Sequence, residues 1–445
     1  MSDRRQKYQE LIEAKRHVHS ATGFAPVWMP DQAFDYPRAL IEWATTTGRA
    51  ALLADCGLGK SLMQLVYGEN VVRKTNRPVL ALAPLGVAGQ TVIEAEKFGI
   101  DAVRSSDGKF TGKRIVVTNY ERLHHFDPAQ FAGLICDESS ILKNADGATR
   151  QAVNDFARKM SFRLLCTATP APNDLIELGT SSEALGYLGF NDMLTTFFKK
   201  DDDSGRATTS RKDEFRSGVW RFRGHAEIFF FRWVCSWARA LRKPSDLGFS
   251  DGHLKLPKLI TNEHVVDCET PPDGWLFTVP ANGLGEQRAE RRRTIEVRCE
   301  KAAVLHNAHD EPGVAWCQLN DEGDILAKEI KGAVQLSGAD KLERKEEILE
   351  GFVKGHFKKL VTKPTIAGFG LNWQHCAHQT QFPSHSWEQF YQTIRRSWRF
   401  GQERPVRIDL ITSEGERGVM ANLMRKNHNA EVMMTNLVQL MWQAQ

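Results

Sequence analysis

The sequence has no hydrophobic run long enough to cross a membrane. Its most apolar window, residues 228–237, is interrupted by Arg232, so it predicts a packed helix instead of a membrane span. Residues 1–5 contain no apolar signal segment. We therefore expect a soluble, cytoplasmic protein without a membrane partner.

Closely spaced cysteine pairs are also lacking. The eight cysteines are scattered, and none forms a Cys-x-x-Cys pair. Cys136, Cys166 and Cys317 lie in apolar runs, where cysteine usually behaves as a small core residue. The sequence therefore predicts a reducing compartment, no disulfide framework and no zinc site. His375 and His378 have helical spacing, but further ligands are not evident nearby, so we interpret them as surface or core histidines.

Neither sign of charge dominates. The 445 residues include 59 Lys and Arg against 55 Asp and Glu, which gives a formal net charge of +4. Because the two signs are interspersed, this balance permits a nucleic-acid partner without requiring one. The length allows two to four domains with cores of full size.

The first part of the chain contains a series of short, continuous apolar runs. Most of these runs end in small polar or acidic residues, and helical segments separate them. Continuous apolar strands that alternate with helices are typical of a parallel sheet covered on both faces, with ligands at the carboxyl ends of the strands. The runs lie at residues 50–53, 79–83, 114–118, 133–136 and 162–166.

The alternation breaks after about residue 190 and resumes near residue 313. Between these points lie a charged polar stretch and an aromatic segment that we interpret as a helix reaching about Leu241. The sequence thus predicts two α/β domains with a mostly helical insertion between them. The predicted boundaries are 1–195 for the first domain, 196–285 for the insertion and 286–445 for the second domain.

Residues 54–61, ADCGLGKS, follow an apolar strand and precede a helix. Strand, glycine loop and Gly-Lys-Ser opening a helix form a phosphate cradle. Gly57 and Gly59 let backbone N–H groups point at an anion, Lys60 can reach the outer phosphates, and Ser61 can hold Mg²⁺. The first glycine of the general pattern is replaced by Ala54, and an ordinary glycine-rich turn is the alternative interpretation.

Two further segments fit phosphate chemistry. Asp137 and Glu138 follow an apolar strand, where one carboxylate can hold Mg²⁺ and the other can activate a water molecule. The spacing of Arg396 and Arg399 predicts that both lie on one helix face, where two guanidinium groups suit a transferring phosphoryl group. Taken alone, the first pair is also common on surfaces, and the second also fits a basic helix on a solvated or nucleic-acid-binding surface.

Together these segments resemble the superfamily-two helicases, and specifically their SNF-type (Swi/Snf-like) branch. The order of the motifs agrees over nearly the whole chain. Segments 137–144, 242–248 and 368–375 most resemble compact phage-encoded members, which suggests the cytoplasm of a bacterium or of a phage-infected cell. The segments that resemble motifs I, Ia, Ib, II, III, V and VI are 54–61, 82–85, 117–121, 137–140, 167–173, 368–373 and 392–402.

The resemblance implies two RecA-like domains that hydrolyse ATP with Mg²⁺ in the cleft between them and move along nucleic acid, with DNA as the expected partner. It also implies a role for each matching residue. Gly57, Leu58, Gly59, Lys60 and Ser61 would bind ATP; Ser61 and Asp137 would hold Mg²⁺; Glu138 would be the catalytic base; Arg396 and Arg399 would be arginine fingers, with Gln392 near the γ-phosphate; Thr167 and Thr169 would couple hydrolysis to domain movement; and Thr118, Asn119, Gly370 and Asn372 would contact nucleic acid.

The chain departs from the family pattern at two positions. Pro37 follows Tyr36 where the branch usually has the Gln that reads the adenine edge, and proline cannot make those side-chain hydrogen bonds. Ser140 stands where many members carry His, and a serine at this position resembles the phage relatives. Pro37 motivates an alternative, a nucleotide-gated DNA-binding scaffold with weak or no ATPase activity. A P-loop kinase is disfavoured by the second α/β domain and its arginine helix.

The inserted region and the helix after it combine aromatic and basic residues. Trp220, Arg221, Phe222 and Arg223 suit backbone tracking and base stacking, and so does the arginine-rich stretch 288–298. The alternative for the aromatic residues of 229–237 is a small local core. For the arginine-rich stretch, the alternative is a solvated helix face.

Overall fold

The computed structural model describes residues 6, 10, 22–84, 86–112, 114–143, 147–200, 220–252, 254–266, 284–368 and 370–443. Short 3₁₀ helices lie at Tyr120–His125, Pro128–Gln130, Ser139–Lys143, Leu175–Glu177, Pro244–Leu247 and Glu414–Glu416. The described α-helices are α1 Asp35–Thr47, α2 Lys60–Thr75, α3 Ala88–Lys97, α4 Ala148–Ala157, α5 Leu178–Leu185, α6 Phe190–Phe197, α7 Ala226–Trp237, α8 Leu284–Arg293, α9 Ile295–Asn307, α10 Asn320–Glu329, α11 Leu342–Val353, α12 Pro364–Ala367, α13 Trp387–Ser397 and α14 Arg417–Gln443. The described strands are β1 Arg49–Ala54, β2 Val79–Ala83, β3 Ala102–Arg104, β4 Ile115–Asn119, β5 Gly133–Asp137, β6 Phe162–Cys166, β7 Phe198–Lys200, β8 Trp220–Phe222, β9 Ala238–Leu241, β10 Leu259–Val266, β11 Gly313–Trp316, β12 Ala333–Leu336, β13 Lys359–Thr362, β14 His378–Gln381 and β15 Val406–Ser413.

The first sheet has seven parallel strands in the order β3-β4-β2-β5-β6-β1-β9. The five predicted apolar runs form β1, β2, β4, β5 and β6, and these strands are buried along almost their whole length. Burial of both faces is the reason that their sequences are continuously apolar. Because the strands are parallel, the segments that leave their carboxyl ends share one edge of the sheet.

Strand β9 differs from the prediction. The aromatic helix ends at Trp237 instead of about Leu241, and the next four residues pair in parallel with β1, Ala51 with Ala238 and Ala54 with Leu241. This pairing gives the outer edge of β1 the hydrogen-bond partners that its buried backbone requires. The helix prediction was wrong here because strand pairing between residues 51 and 238 has no local signature.

The second sheet has six parallel strands in the order β10-β15-β14-β11-β13-β12. Most of these strands are apolar and were predicted, but β14, with the sequence His-Gln-Thr-Gln, was not. Its side chains are nevertheless buried, and Gln379 accepts a hydrogen bond from the Trp316 indole at 3.0 Å and donates one to Thr393 O at 3.1 Å. Side-chain hydrogen bonds therefore permit a polar strand in the middle of the sheet.

The chain divides into two compact units. The first comprises Met1–Ala83, Thr91–Ser250 and Glu431–Gln445, and the second comprises Pro84–Gln90 and Asp251–Ala430. Each unit contains one of the two large sheets with helices against it, and the predicted α/β fold class is confirmed. The first unit thus includes residues from the far C-terminal end of the chain.

The aromatic helix α7 forms part of the core of the first unit. Phe230, Phe231, Trp233 and Trp237 are each at most 4% exposed, and the ring centroids of Trp233 and Trp237 lie 5.4 Å apart. These residues are core residues, as the alternative interpretation expected, but they belong to the large core of the first unit instead of a small local one.

The cysteines are buried wherever the structure describes them. The seven cysteines within the described residues are free thiols and buried, while Cys268 lies outside them. None of the helices in the described ranges is both long and apolar enough to span a membrane. In the same ranges, no cluster of His, Cys, Asp and Glu has the arrangement of a metal site.

Candidate functional site

The loop between β1 and α2 is the segment that the sequence predicts to be a phosphate cradle. Gly57 and Gly59 adopt left-handed conformations, with φ of 85° and 79°. These angles favour glycine over any residue with a Cβ atom. A Cβ atom built on Gly59 meets no heavy atom within 4 Å, so the space over the loop is open. Leu58 is fully buried and anchors the loop to the core.

The Lys60 ammonium group is turned toward its own loop. It donates hydrogen bonds to Ala54 O at 2.8 Å and to Asp55 O at 3.1 Å. Lys60 and Ser61, the first two residues of α2, are half-buried. Helix α2 therefore points its N-terminus, with unpaired N–H groups and a partial positive charge, at the loop.

Asp137 ends β5, two strands from β1 at the same edge of the sheet. Its Oδ1 accepts a hydrogen bond from Gln64 Nε2 at 2.6 Å, and its carbonyl accepts one from the Tyr120 hydroxyl at 2.7 Å. Burial, followed by the charge of Glu138, raises the pKa of Asp137 to about 6, while Gln64 and Lys60 oppose the shift. The carboxylate is thus held in place and titrates near neutral pH.

Glu138 is held in an uncommon backbone conformation. Its φ is 52°, in the left-handed region that residues other than glycine rarely occupy, and it is 5% exposed. Its Oε1 accepts hydrogen bonds from Thr167 Oγ1 at 2.6 Å and from Ser140 Oγ at 3.2 Å. Strain of this kind is retained where the surroundings fix a side chain for function.

Thr167 connects the segment after β6 to Glu138. Its hydroxyl donates to Glu138 and accepts a hydrogen bond from Thr169 N at 3.0 Å, and both threonines are 1% exposed. Thr167 N also donates to Leu52 O of β1 at 3.2 Å. The structure therefore brings together the predicted coupling residues and the predicted catalytic carboxylate.

The sequence analysis missed Gln64 and Tyr120. Gln64 lies one helical turn after Lys60, so the spacing of four residues places both on the same face of α2. That spacing was the available signal for Gln64. Tyr120 immediately follows Asn119 in the segment that resembles motif Ib, but no pattern indicated that its hydroxyl binds the backbone of Asp137.

In the second unit, Arg396 forms hydrogen bonds with residues of two segments, those that resemble motifs V and VI. Its guanidinium donates from Nη1 to Leu371 O, from Nη2 to Gln392 Oε1 and from Nε to Gln392 O, at 2.8, 2.8 and 2.9 Å. Arg396 is 3% exposed and Gln392 is fully buried. The segments 370–373 and 392–402 are therefore joined through these two side chains.

Arg399 does not share a helix face with Arg396. Helix α13 ends at Ser397, and Trp398 has a non-helical ψ of 85°. The prediction of one shared helix face is wrong, because Trp398 leaves the helix to place its indole against Pro257 O, to which Nε1 donates at 2.8 Å. Arg399 lies in the following turn and is half-buried.

The residues predicted to contact nucleic acid differ in exposure. Thr118 and Asn119 end β4 with buried side chains, 1% and 2% exposed, and Asn119 Nδ2 donates to Ala83 O at 3.4 Å. Gly370 has a φ of 77°, and Asn372 Nδ2 donates to Gln374 Oε1 at 3.3 Å. Their role stays a prediction.

Pro37 is the third residue of α1 and is buried. It lies within the first turn of the helix, where its missing N–H has no intrahelical acceptor to satisfy. Tyr36 beside it is also buried, and its ring is parallel to that of exposed Phe34, with centroids 6.4 Å apart. Pro37 therefore fits the helix, but it presents no hydrogen-bonding side chain.

Most of the described arginine side chains in the arginine-rich stretch 288–298 form ion pairs within the second unit. Arg298 is fully buried and lies 2.8 Å from Glu322, which is also fully buried. Arg291 Nε pairs with Glu416 at 2.8 Å, and Arg293 pairs with Glu290 at 2.9 Å. Both sequence interpretations of this stretch, solvated face and nucleic-acid surface, are wrong for Arg298.

Comparison with solved structures identifies the fold. A single-residue variant of Dbp5 from S. cerevisiae, bound to RNA and ADP BeF3, matches with a TM-score of 0.55 and 10% identity over 90% of this chain and 93% of that one. S. cerevisiae Dbp5 without that substitution, bound to RNA and ADP BeF3, matches with a TM-score of 0.53 and 10% identity over 87% and 89%. The chain therefore shares the fold of these Dbp5 structures.

This result confirms the predicted fold of two RecA-like domains. The Sulfolobus solfataricus SWI2/SNF2 ATPase core in complex with dsDNA also matches, with a TM-score of 0.41 and 16% identity over 94% of this chain and 96% of that one. No protein-family model and no curated protein matches the sequence.

Proposed function

We propose that the protein is an ATP-dependent DNA helicase or translocase of the SNF-type branch, whose ATPase is stimulated by nucleic acid. One observation carries the proposal. Glu138, strained and hydrogen-bonded by Thr167, lies at the same sheet edge as the glycine loop of Lys60. A fixed carboxylate beside a phosphate cradle is what water activation at a terminal phosphate requires.

The residues of the loop fit a nucleoside triphosphate and Mg²⁺. The open space over Gly59, the α2 N-terminus and the Lys60 ammonium suit phosphates, while the Ser61 hydroxyl and the Asp137 carboxylate are the oxygen ligands that Mg²⁺ prefers. Bound there, Mg²⁺ would supply positive charge to the phosphate oxygens.

Each side chain has a defined task in this proposal. Lys60 exchanges its two loop carbonyls for phosphate oxygens when ATP binds. Glu138 orients the attacking water and takes its proton, and Ser140 and Thr167 hold the carboxylate in position. Thr169 and Thr167 then relay the change at Glu138 toward the rest of the first unit.

Arg396 and Arg399 are the proposed arginine fingers. Arg396 uses Nε, Nη1 and Nη2 in hydrogen bonds within its own unit. Arg396 can act as a second finger only by releasing Leu371 O or the Gln392 side chain. In the described conformation Arg396 is a positioning residue for Leu371 and its neighbours at 370–373.

ATPase assays with single-stranded DNA, duplex DNA and RNA as stimulants test the proposal. We expect a basal rate that at least one nucleic acid raises, and loss of turnover in Lys60→Ala and Glu138→Gln. A Glu138→Gln variant with the wild-type rate would falsify the assignment of the base. Strand separation is measured on the same substrates in a separate assay, because translocation on duplex does not require it.

Pro37 favours a second candidate, a nucleotide-gated DNA-binding scaffold with weak turnover. Pro37 is buried within α1 and offers no donor or acceptor to a base. Under this alternative, DNA affinity depends on nucleotide although the ATPase rate stays low with every stimulant. Pro37→Gln separates the two, since a rise in ATP affinity and base preference would show that position 37 limits nucleotide binding.

A further inference from the structure

Tyr120 is the first residue after β4, and its side chain reaches the end of another strand. Strands β4 and β5 lie on either side of β2, so a contact between the segments that follow them spans the end of β2. The Tyr120 ring is 6% exposed and belongs to the same hydrophobic core as Leu82 and Cys136. Its hydroxyl donates a hydrogen bond to the carbonyl oxygen of Asp137 at 2.7 Å. A buried ring therefore connects the end of β4 to the acidic pair after β5.

The oxygen that accepts this bond belongs to the peptide group between Asp137 and Glu138. The N–H of the same peptide group, that of Glu138, interacts with the Asp137 carboxylate and favours its ionised form. Both polar atoms of the group are thus held, the oxygen by Tyr120 and the N–H by Asp137. Because a peptide group is planar and rigid, these two contacts fix its orientation.

The orientation of this peptide group determines the strain at Glu138. The φ angle of Glu138, 52°, is the torsion that adjoins the group. Rotation of the peptide plane would change φ of Glu138 and ψ of Asp137 together, and would let the left-handed conformation relax. The same rotation would carry the carbonyl oxygen away from the Tyr120 hydroxyl. The hydrogen bond from Tyr120 therefore opposes the relaxation.

The Tyr120 hydroxyl is available as a donor. Burial raises the pKa of Tyr120 well above its usual value, so the hydroxyl keeps its proton at neutral pH. The hydroxyl also contacts the Cys136 side chain, and burial raises the pKa of that thiol to about 12. An uncharged thiol is a weak acceptor, so the Asp137 carbonyl oxygen is the stronger partner of the hydroxyl.

Two other tyrosines of the first unit make the same kind of bond at the other end of the sheet. The Tyr67 hydroxyl donates to Gly48 O at 2.6 Å, and the Tyr187 hydroxyl donates to Arg49 O at 2.9 Å. Arg49 is the first residue of β1, so these bonds lie at the opposite end of β1 from the loop that precedes α2. They show what a buried hydroxyl-to-carbonyl bond does where it contributes stability alone.

We propose that Tyr120 is a positioning residue for Glu138: its hydroxyl fixes the peptide group between Asp137 and Glu138 and thereby aims the Glu138 carboxylate at the attacking water. Thr167 and Ser140 hold the carboxylate itself, whereas Tyr120 holds the backbone from which it projects. The proposal rests on the proposed function, in which Glu138 activates that water. Because Tyr120 acts through Glu138, turnover should depend on it and ATP binding should not.

The test compares the ATPase kinetics of Tyr120→Phe and Tyr187→Phe, with the nucleic acid that stimulates the wild type most. Each variant keeps its buried ring and loses one hydroxyl-to-carbonyl hydrogen bond, so urea denaturation should show similar, small losses of stability. Tyr120→Phe should lower kcat by roughly tenfold to a hundredfold at unchanged KM for ATP, because the base is misaligned while the phosphate contacts remain. Tyr187→Phe should keep the wild-type kcat.

A third variant separates the two contacts of the hydroxyl. Cys136→Ala removes the thiol contact and leaves the bond to Asp137 O, so it should also keep the wild-type kcat. The positioning proposal alone would be overturned by a kcat of Tyr120→Phe equal to that of Tyr187→Phe, by a raised KM at unchanged kcat, by an equal loss of kcat in Cys136→Ala, or by a much lower urea midpoint for Tyr120→Phe than for Tyr187→Phe. Wild-type protein that hydrolyses no ATP with any nucleic acid would remove the proposed function and this proposal together.

Discussion

At the residue scale, the two adjacent carboxylates after β5 have different surroundings. Asp137 is held by one neutral amide, from Gln64, and burial raises its pKa to about 6. Glu138 is held by two hydroxyl groups in a left-handed backbone conformation. Adjacent groups with distinct partners can take distinct roles, and in the proposed function these roles are metal binding for Asp137 and proton transfer for Glu138.

The pKa of Asp137 predicts how activity depends on pH. A carboxyl group must be ionised to hold Mg²⁺, so we expect ATPase activity at limiting Mg²⁺ to fall as the pH drops through about 6. Gln64→Ala removes a hydrogen bond that favours the ionised form, and should move this limb of the pH profile upward by roughly 0.5–1 unit. The measurement is the apparent Mg²⁺ affinity between pH 5 and 8.

Gln151→Ala provides the matched control, because Gln151 is an exposed glutamine on α4 in the same unit. Its profile should equal that of the wild type. An unmoved profile in Gln64→Ala would mean that Asp137 does not control the acidic limb.

At the scale of elements, a largely buried polar network joins β10, the first residue of β14 and the middle of β15. Asp409 Oδ2 lies 2.8 Å from His378 Nε2, and Asp409 Oδ1 lies 2.9 Å from His264 Nε2. His309 Nε2 lies 2.8 Å from His378 Nδ1, which connects the end of α9 to the sheet. The titratable and charged groups around His309 and His378 are Lys359, Arg407, Asp409, Glu311, His306 and His264.

This network predicts acid sensitivity of the second unit. Burial and then Lys359 lower the pKa of His309 to about 4, and burial also lowers the pKa of His378 although Asp409 opposes it. In the unfolded chain His309 binds a proton near pH 6.5, whereas in the folded protein it does so only near pH 4. Between these pH values the unfolded state binds more protons, so the free energy of unfolding should fall as the pH drops from about 6.5 to 4. Because the pKa of Asp409 is lowered in the folded protein, its protonation lowers the free energy of unfolding further, but only below about pH 4.

Urea denaturation at a series of pH values measures this dependence. His309→Gln should flatten the slope between pH 6.5 and 4, whereas His356→Gln, an exposed histidine of the same unit, should leave it unchanged. Equal slopes in all three proteins would exclude His309 as the source of acid sensitivity.

Element boundaries show what sequence patterns determine. Strands β1, β2, β4, β5 and β6 were predictable because both faces are buried, and burial imposes a continuous apolar sequence. Strands β9 and β14 were missed because their identity depends on distant partners, Ala51 to Ala54 for the former and Trp316, Thr393 and Ser397 for the latter.

The candidate site was predictable to a similar degree. The loop at 54–61 and the pair Asp137 and Glu138 have local motifs, and the parallel sheet brings the carboxyl ends of β1 and β5 to one edge. The position of Arg399 was not predictable, because the helix ends where Trp398 finds a backbone acceptor 141 residues away in sequence. A contact between side chains and backbone groups so far apart in sequence produces no periodic pattern in the sequence.

At the scale of the whole molecule, both ends of the chain build the first unit. Residues 431–445 group with it, and Met433, Leu437 and Met441 join the core that includes α7 and β9. Ala240 N donates to the sulfur of Met441 at 3.1 Å, and Leu241 O of the same strand accepts a hydrogen bond from Asp55 N, in the loop between β1 and α2, at 2.8 Å. The C-terminal segment thus supports the strand that borders the loop.

Removing one buried side chain from this segment should destabilise the first unit. Leu437 is 1% exposed, so Leu437→Ala is expected to cost about 2–5 kcal/mol in the free energy of unfolding, through lost burial and the cavity that it leaves. Val432→Ala, at a position 44% exposed in the same segment, should cost no more than about 0.5 kcal/mol. Urea denaturation followed by tryptophan fluorescence measures both, since Trp233 and Trp237 lie in this core. Equal midpoints for the two variants would show that residues 431–443 add no stability to the first unit, and that β9 holds the phosphate loop without them.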